Sequence, residues 1–170
     1  MLNVKFAIAI QSAKLAGFTI ITTASLKHVD FLKSLGANHV IDRHMSTEAV
    51  AAEITKVLAG QSLKYSVDTV VNAGTSQMVY DLLAPYGQHL MVLPQADSIQ
   101  NKTENKKISV VFGWADTEEN YETVTVLYEH LTTILEEGVI KVNTSILAFD
   151  APDCSVVSHS QIKWKWFLTG

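Results

Sequence analysis

The sequence predicts an α/β fold, an open and mostly parallel sheet with helices on both faces. Short apolar runs rich in β-branched residues alternate with segments of helical period, which is the order expected when crossover helices join parallel strands. Glycine follows three of the helical segments at the position just past a helix end. The chain has 170 residues, of which 48% are hydrophobic, so it is long enough for one domain with a substantial core.

The first half of the chain contains two strand and helix pairs. A run rich in isoleucine and threonine predicts a strand at 18–23, and the next segment, 26–35, has helical character and ends at Gly36. A brief strand at 39–41 precedes a helix at 47–58. The apolar residues of this helix recur at helical spacing, so one of its faces should lie against the sheet.

The second half continues the alternation up to its longest helix. The predicted elements are, in order, a strand at 67–72, a short helix at 76–83 that stops before Pro85, a strand at 88–93, a polar surface loop at 96–107 and a strand at 108–112. Asp116 or Thr117 can then cap a helix that ends before Gly138. The apolar residues of this helix lie three or four apart and are Tyr121, Val124, Tyr128, Leu131 and Leu135.

The C-terminal segment, 156–168, follows a different period. Its apolar residues alternate by two with Lys163 and Lys165, which predicts a half-buried strand. These apolar residues are Ile162, Trp164, Trp166 and Leu168. A membrane-surface or partner-binding segment is the alternative, but alternation by two argues against an amphipathic helix.

Composition excludes several classes of function. The net charge is −4 without a basic stripe, so nucleic acid is an unsuitable partner. A single cysteine, Cys154, cannot form a disulfide within the chain, and the simplest location is the reducing cytoplasm. No run reaches the ~18 apolar residues of a membrane span, so no membrane partner is expected. The six histidines lack the spacing of a helical metal pair, so no metal site is predicted.

Several segments of the chain carry motifs of a known cofactor-binding domain. They are 13–25 (AKLAGFTIITTAS), 31–42 (FLKSLGANHVID), 67–74 (VDTVVNAG), the strand at 89–94 and 138–141 (GVIK). Together they resemble the cofactor domain of the medium-chain dehydrogenase/reductase family over residues 6–150, above all its zinc-independent enoyl and quinone reductase branch of fungal proteins. The resemblance implies a Rossmann-like, doubly wound sheet, NADP(H) as cofactor, and pairing of two copies through the last strands of the domain.

One part of that family's pattern is absent from this sequence. In the family a central strand and a glycine-rich turn, whose amides hold the cofactor pyrophosphate, precede the first helix. We therefore expect an N-terminally truncated cofactor domain, 1–150, followed by an atypical strand or tail at 151–170. The missing first strand has to be replaced by 4–10 in an extended form, by the tail, or by a strand of a partner chain. A homodimer through edge or swapped strands is thus expected.

Small polar and basic residues follow the predicted strand at 18–23. A carboxylate at this place usually binds the ribose of NAD, whereas Thr23, Ser25 and Lys27 favour the additional phosphate of NADP. Arg43, after the next strand, can add charge at the same edge. In the simpler interpretation, Ser25 caps a helix while Lys27 and Arg43 are solvated.

A second group of candidates follows the strands at 67–72 and 88–93. Asn72, Gly74 and Thr75 stand at the side of the sheet where open α/β folds bind ligands, and the family pattern places Leu93 beside the nicotinamide. Gly74 either lets a ribose approach closely or only makes the turn. No residue is assigned a catalytic role.

Two functions follow from these observations. The first is an NADP(H)-binding domain related to reductases that transfer hydride to an activated alkene or quinone, without full catalytic activity by itself. The second is a non-enzymatic protein that keeps the fold and binds a partner, or a second copy, through its dimer surface or its C-terminal strand.

Overall fold

The structure of the protein is a computed structural model that describes residues 4–92, 99–111, 118–141 and 165–169. Helices and strands alternate along most of these residues. The helices are α1 (Val4–Leu15), α2 (Val29–Ser34), α3 (Thr47–Leu58), α4 (Ala73–Leu82) and α5 (Glu118–Glu136). The strands are β1 (Thr19–Ala24), β2 (His39–Asp42), β3 (Leu63–Asp68), β4 (Leu83–Met91), β5 (Lys107–Val110) and β6 (Lys165–Thr169). A 3₁₀ turn, Leu26–His28, precedes α2. The predicted α/β class is confirmed.

The strands of these described ranges form one sheet in the order β2-β1-β6-β3-β4-β5. β1 and β2 are parallel, as are β3, β4 and β5. β6 lies between these two groups and is antiparallel to both, so that Leu168 pairs with Ile20 on one side and with Tyr65 on the other. The sheet is therefore Rossmann-like, but its strand between β1 and β3 runs in the reverse direction.

The C-terminal tail replaces the expected first strand. The predicted strand at 156–168 is confirmed in its last part as β6, while 156–164 lie outside the described residues. The alternative of an extended 4–10 is wrong, because this segment belongs to α1, whose Ala7, Ile10 and Ala13 are buried three residues apart. Through β6, backbone groups of β1 and β3 are paired in the middle of the sheet, where an unpaired group would cost about 1–3 kcal/mol.

Helices cover both faces of the sheet. On one face, α1 and α2 pack on β1 through a cluster that includes Ile10, Ile20 and Leu32. On the other face, α3 and α4 form a second cluster that includes Ile54 and Val79. Both clusters contain fully buried aliphatic side chains, so each face of the sheet is removed from water.

The third strand starts and ends earlier than the predicted range of 67–72, since β3 spans Leu63–Asp68. The Asp68 carboxylate accepts hydrogen bonds from the amides of Val70 (3.0 Å) and Val71 (2.8 Å). These bonds turn the chain out of the sheet directly after Asp68. The β-branched pair Val70 and Val71 has the composition of a strand, but the turn overrides that propensity.

Other predicted elements agree with the structure to within a few residues. The helix at 47–58 is α3, and the strand at 39–41 is β2. The predicted helix 26–35 is divided into the 3₁₀ turn and α2, and 76–83 corresponds to α4. β4 begins at Leu83 rather than at 88, with an irregular register opposite β3. The described residues do not include Leu93, Phe112, Asp116 and Thr117.

α5 lies at the surface, and the chain that follows it is anchored to α1. The side-chain amide of Gln11 donates to the carbonyl of Lys141 (3.0 Å) and accepts from the amide of Lys141 (2.7 Å). Gln11 is buried and Lys141 is exposed, so both hydrogen bonds are partly shielded from solvent. This two-point contact fixes the end of the α5 segment against α1.

Candidate functional site

The carboxyl ends of the parallel strands meet at one side of the sheet, here named the carboxyl edge. β1, β2 and β3 reach it at Ala24, Asp42 and Asp68. Open α/β sheets bind their ligands outside this edge. β6 reaches the same edge with its first residue, Lys165, which pairs with both Thr23 and Asp68. The candidate residues therefore form two groups, one on each side of β6.

Three basic side chains at the ends of β1 and β2, those of Lys27, His28 and Arg43, form a group named the basic rim. Lys27 and His28 belong to the 3₁₀ turn after β1. The amide of Arg43 donates to the carbonyl of Ala24 (3.0 Å), which holds the segment after β2 against the end of β1. Lys27 is exposed, and Arg43 is half-exposed. The fold thus brings the predicted candidates Lys27 and Arg43 to one place.

The charges of the basic rim act on His28. Partial burial, and then the positive charges of Lys27 and Arg43, lower the pKa of His28 below its usual value. The imidazole is therefore neutral at neutral pH. An anion at the rim would offset those positive charges and favour protonation of His28.

Two hydroxyl-bearing candidates lie next to the basic rim. Thr23 is the penultimate residue of β1 and is buried. Ser25 stands at the N-cap position of the 3₁₀ turn, but its side chain makes no capping hydrogen bond. The interpretation of Ser25 as a helix cap is therefore not supported, and its hydroxyl is able to bond to a ligand.

Polar groups on the β3 side of β6 are engaged within the chain. Asp68 is fully buried and, besides the two amides of the turn, accepts a hydrogen bond from the Ser76 hydroxyl (2.7 Å). Further along the strands, the buried Ser66 hydroxyl and His89 Nδ1 lie 2.7 Å apart. Because buried polar groups are costly unless they are bonded, these contacts stabilise the packing of β3, β4 and α4.

The loop from β3 to α4 holds the second group of candidates. Val71 is buried and has a φ of 51°, an unusual conformation for a β-branched residue. Asn72 caps α4, since its Oδ1 accepts from the amide of Gly74 (3.1 Å) and its carbonyl accepts from the Thr75 hydroxyl (3.2 Å). A Cβ on Gly74 would meet Asn72 Oδ1 at an ordinary 3.7 Å. Packing in this chain therefore does not require a glycine at 74, whereas Asn72 and Thr75 have structural roles.

β6 separates the two groups and has the opposite direction to its neighbours. Neighbouring strands lie about 4.8 Å apart, so the ends of β1 and β3 are roughly 10 Å apart across β6. A parallel strand at this position would leave the sheet at the carboxyl edge and lead into a helix whose amides face the ligand. β6 instead enters the sheet there, at Lys165.

A groove between α3 and α4 opens beside Gly74 and is lined by Glu48, Gln77 and Asp81. Hydrogen bonds from its own backbone amide and from Ser46 lower the pKa of Glu48. Glu48 is therefore a carboxylate at neutral pH, and its negative charge disfavours phosphate in the groove. Of the two places, the basic rim is the better anion site.

Neither a metal site nor a membrane span is found in the part of the chain that the structure describes. Within it, no three His, Cys, Asp or Glu side chains come together to hold a metal ion. No helix there is long and apolar enough to cross a membrane.

The sheet, its helices and the position of the candidate site agree with one sequence family. Residues 7–129 match the family model described as zinc-binding dehydrogenase. The chain belongs to this family. It corresponds to a nucleotide-binding domain of the medium-chain dehydrogenase/reductases, so the resemblance stated from the sequence is confirmed.

Curated relatives of this domain are reductases and a dehydrogenase-like protein. Trans-enoyl reductase TOXD of Cochliobolus carbonum is 41% identical over 63 residues, 37% of this chain and 20% of the relative. Trans-enoyl reductase tndF of Aspergillus flavipes is 33% identical over 103 residues, 56% of this chain and 29% of the relative. The zinc-binding alcohol dehydrogenase domain-containing protein cipB of Emericella nidulans is 39% identical over 67 residues, 39% of this chain and 21% of the relative. The match thus spans less than a third of each relative.

Solved structures show the same fold. The nucleotide-binding subdomain of the enoylreductase domain of PpsC from Mycobacterium tuberculosis superimposes with a TM-score of 0.60 at 21% identity, over 79% of this chain and 78% of that one. A quinone oxidoreductase of Pseudomonas syringae gives 0.61 at 22% identity, over 81% of this chain and 43% of that one. At these identities the likeness concerns the fold.

Sequence reasoning does not single out His28 and Asp68 at this edge. His28 directly follows Lys27, and this adjacency is the available signal. For Asp68 the signal is weaker, because its role depends on Ser76 in α4. Leu93 lies outside the described residues, and its place beside the nicotinamide stays a prediction.

Proposed function

We propose that this chain is an NADP(H)-recognising domain of an enoyl or quinone reductase-like oxidoreductase, and that it binds the cofactor mainly by its adenosine phosphate end. The basic rim carries this proposal. Lys27, His28 and Arg43 stand together at the ends of β1 and β2, and the Ser25 hydroxyl lies beside them. Clustered cations with hydroxyl donors are suited to a phosphate group. Family membership supports nucleotide binding, and the rim supports NADP over NAD.

The residues at the edge fit the phosphate-bearing adenosine of the cofactor. Lys27 and Arg43 would hold the 2′-phosphate, and Ser25 would donate a hydrogen bond to it. Thr23 lies at the base of this site, and Gly74 leaves room for a ligand on the far side of β6. When it is bound, the reduced nicotinamide supplies a hydride.

The direction of β6 supports weaker binding of the pyrophosphate. Because β6 begins at the carboxyl edge and ends at the opposite edge, a helix that follows β6 cannot place its N-terminus on the ligand side. We therefore infer nucleotide binding without full catalytic turnover by this chain alone. The substrate class, an activated alkene, is inferred from relatives named trans-enoyl reductases. Its single cysteine supports a cytoplasmic location.

A titration with cofactor fragments tests the proposal. NADPH, NADH, adenosine 2′,5′-bisphosphate and AMP are titrated into the chain by calorimetry. We expect the bisphosphate to bind within about threefold of NADPH, and NADH and AMP at least about tenfold more weakly, a difference of about 1.4 kcal/mol. Equal affinity for NADPH and NADH would reject the role of the rim. A dissociation constant for NADPH above about 1 mM would reject nucleotide binding itself.

A second function is favoured by the position of β6. β6 pairs with β1, which lies about 150 residues earlier in the chain. The β6 strand of a second copy can therefore pair with β1 in the same register. As the alternative, we propose a non-enzymatic binding protein that forms a homodimer through swapped β6 strands or through the edge strands β2 and β5. Sedimentation velocity is the test, and a monomer at micromolar concentration would reject the dimer.

A further inference from the structure

α5 carries a row of exposed apolar side chains, here named the ridge, beside its half-buried face; Val126 and Leu127 of the same helix are exposed as well. Tyr121, Tyr128 and Leu135 are 68%, 67% and 42% exposed and lie seven residues apart, so they follow one line along the helix. Val124 and Leu131, which lie between them in the sequence, are half-buried. The five residues fit a heptad pattern. The exposed Tyr121, Tyr128 and Leu135 are at its a positions, and Val124 and Leu131 are at its d positions. The ridge is therefore a preformed seam for another helix.

A row of carboxylates runs beside this ridge. Glu122, Glu129 and Glu136 are also seven residues apart, each directly follows a ridge residue in the sequence, and all are exposed. The segment 118–138 contains six glutamates and no lysine or arginine. Among the residues that the structure describes, these three make no ion pair. The surface thus combines large apolar side chains with uncompensated negative charge.

Neither feature benefits the isolated chain. Glu136 lies in the last turn of α5 and Glu137 follows it, where the helix dipole disfavours negative charge. The exposed tyrosines add apolar surface in contact with water, and tyrosine is among the residues that most often anchor protein interfaces. A partner that carries both apolar and positively charged side chains would offset both costs.

We infer that this face of α5 binds a basic amphipathic helix of another protein. Apolar residues of that helix at heptad spacing would pack on Tyr121, Tyr128 and Leu135, and its lysines or arginines would pair with the carboxylate row. The 19 residues of α5 extend over roughly 28 Å, enough for five turns of a partner helix. A second copy of α5 is disfavoured, because it would bring like charges together. The segment 142–164 is disfavoured too, since it contains Asp150, Asp153 and one lysine.

A designed peptide tests this inference on the full chain. The probe is a labelled helix of three heptads with leucine at a and d and lysine at the remaining positions. Its controls are a peptide with glutamate in place of each lysine and a scrambled peptide of the same composition. Binding is followed by fluorescence anisotropy at two salt concentrations. We expect the lysine peptide to bind at least about tenfold more tightly than either control, and less tightly at high salt.

Variants of α5 locate the binding site. Tyr121→Ser with Tyr128→Ser should weaken lysine-peptide binding at least about tenfold. Glu122→Lys with Glu129→Lys and Glu136→Lys should make the glutamate peptide the preferred ligand. Tyr86→Ser, at a side chain that is 85% exposed, and Glu104→Lys, at an exposed loop residue, are matched controls and should change binding by less than about twofold. Because all substituted positions are exposed, thermal unfolding of each variant should remain cooperative.

Three results would overturn the inference. Equal binding of the lysine and scrambled peptides would show that charge and not the ridge drives the contact. Equal losses in the α5 variants and in the matched controls would place the peptide elsewhere. A dimer of the chain that dissociates when Tyr121 and Tyr128 are replaced would show that a second copy covers this face.

Discussion

At the carboxyl edge, similar polar residues lie on the β1–β2 side and on the β3 side of β6. The two sides differ in whether these side chains form hydrogen bonds within the chain. On the β1–β2 side, Lys27 is exposed and the Ser25 hydroxyl makes no capping bond. On the β3 side, Asp68 and Ser76 bond to each other and the Asn72 side chain bonds to the backbone. A polar side chain whose hydrogen bonds are used within the chain stabilises the fold, whereas one held at the edge without such bonds can serve a ligand. The β1–β2 side therefore has the polar groups that suit the proposed cofactor, whereas the β3 side stabilises the fold.

The largest expected effect concerns β6, which joins the two sides. Phe167→Pro removes a backbone donor from a strand that is paired on both sides, with Ile21 and with Ser66. We expect a loss of about 3 kcal/mol or more in the free energy of unfolding, measured in urea. Lys107→Pro, at the first residue of the edge strand β5, is the control and should cost less. Equal losses would mean that β6 does not hold the two halves together.

The next largest expected effect is a loss of stability on the β3 side that leaves the affinity for NADPH unchanged. Asp68→Asn replaces a buried carboxylate that accepts three hydrogen bonds with an amide that has one acceptor oxygen. We expect the free energy of unfolding to fall by about 2–3 kcal/mol, while the folded fraction keeps its affinity for NADPH. Asp42→Asn serves as the control, because Asp42 is half-exposed and accepts from the amide of the exposed His44. A selective loss of NADPH affinity in Asp68→Asn would assign a ligand role to this side.

A double substitution on the basic rim should show the opposite pattern. Lys27→Ala with Arg43→Ala removes the positive charges proposed to hold the 2′-phosphate. We expect NADPH affinity to fall at least about tenfold, with little change in stability, because both side chains reach solvent. Lys33→Ala, at an exposed lysine of α2, is the matched control and should leave the affinity unchanged. Calorimetry with NADPH measures both, and equal losses would remove the rim from the site.

The smallest effect is a pH dependence that arises from His28. Burial and the neighbouring cations lower the pKa of His28 in the free protein, and a bound phosphate would raise it. Binding then takes up a proton, so the affinity advantage of the wild type over His28→Asn should increase a few-fold as pH falls from about 7 to about 5. Protonation of the phosphate affects both proteins equally and cancels in this ratio. In the absence of ligand the sign reverses: stability from neutral His28 is full above its usual pKa and is lost as pH falls. A constant ratio would contradict contact between His28 and phosphate.

The sequence predicts the elements that depend on local signals. α3 matches its predicted range because its apolar spacing is a local signal. The structure adds an N-cap hydrogen bond from the Ala49 amide to the Ser46 hydroxyl (3.3 Å). The end of β3 is missed because it depends on the contacts of one side chain, Asp68. For β6 the alternation is visible, but its direction and its neighbours depend on distant residues. His28 is not recognised because its environment includes Arg43, which follows a different strand and is distant in the sequence.

The long separation in sequence between β6 and β1 also bears on how the chain acquires its shape during synthesis. Ile20 pairs with Leu168, so β1 leaves the ribosome long before its partner exists. Until Lys165–Thr169 emerges, β2-β1 and β3-β4-β5 are two separate parts of the sheet. The unpaired edges of β1 and β3 can then associate with other nascent chains. Closing a loop of this length makes the joining event slow and late. Maturation of this protein should therefore depend on chaperone protection until β6 is inserted.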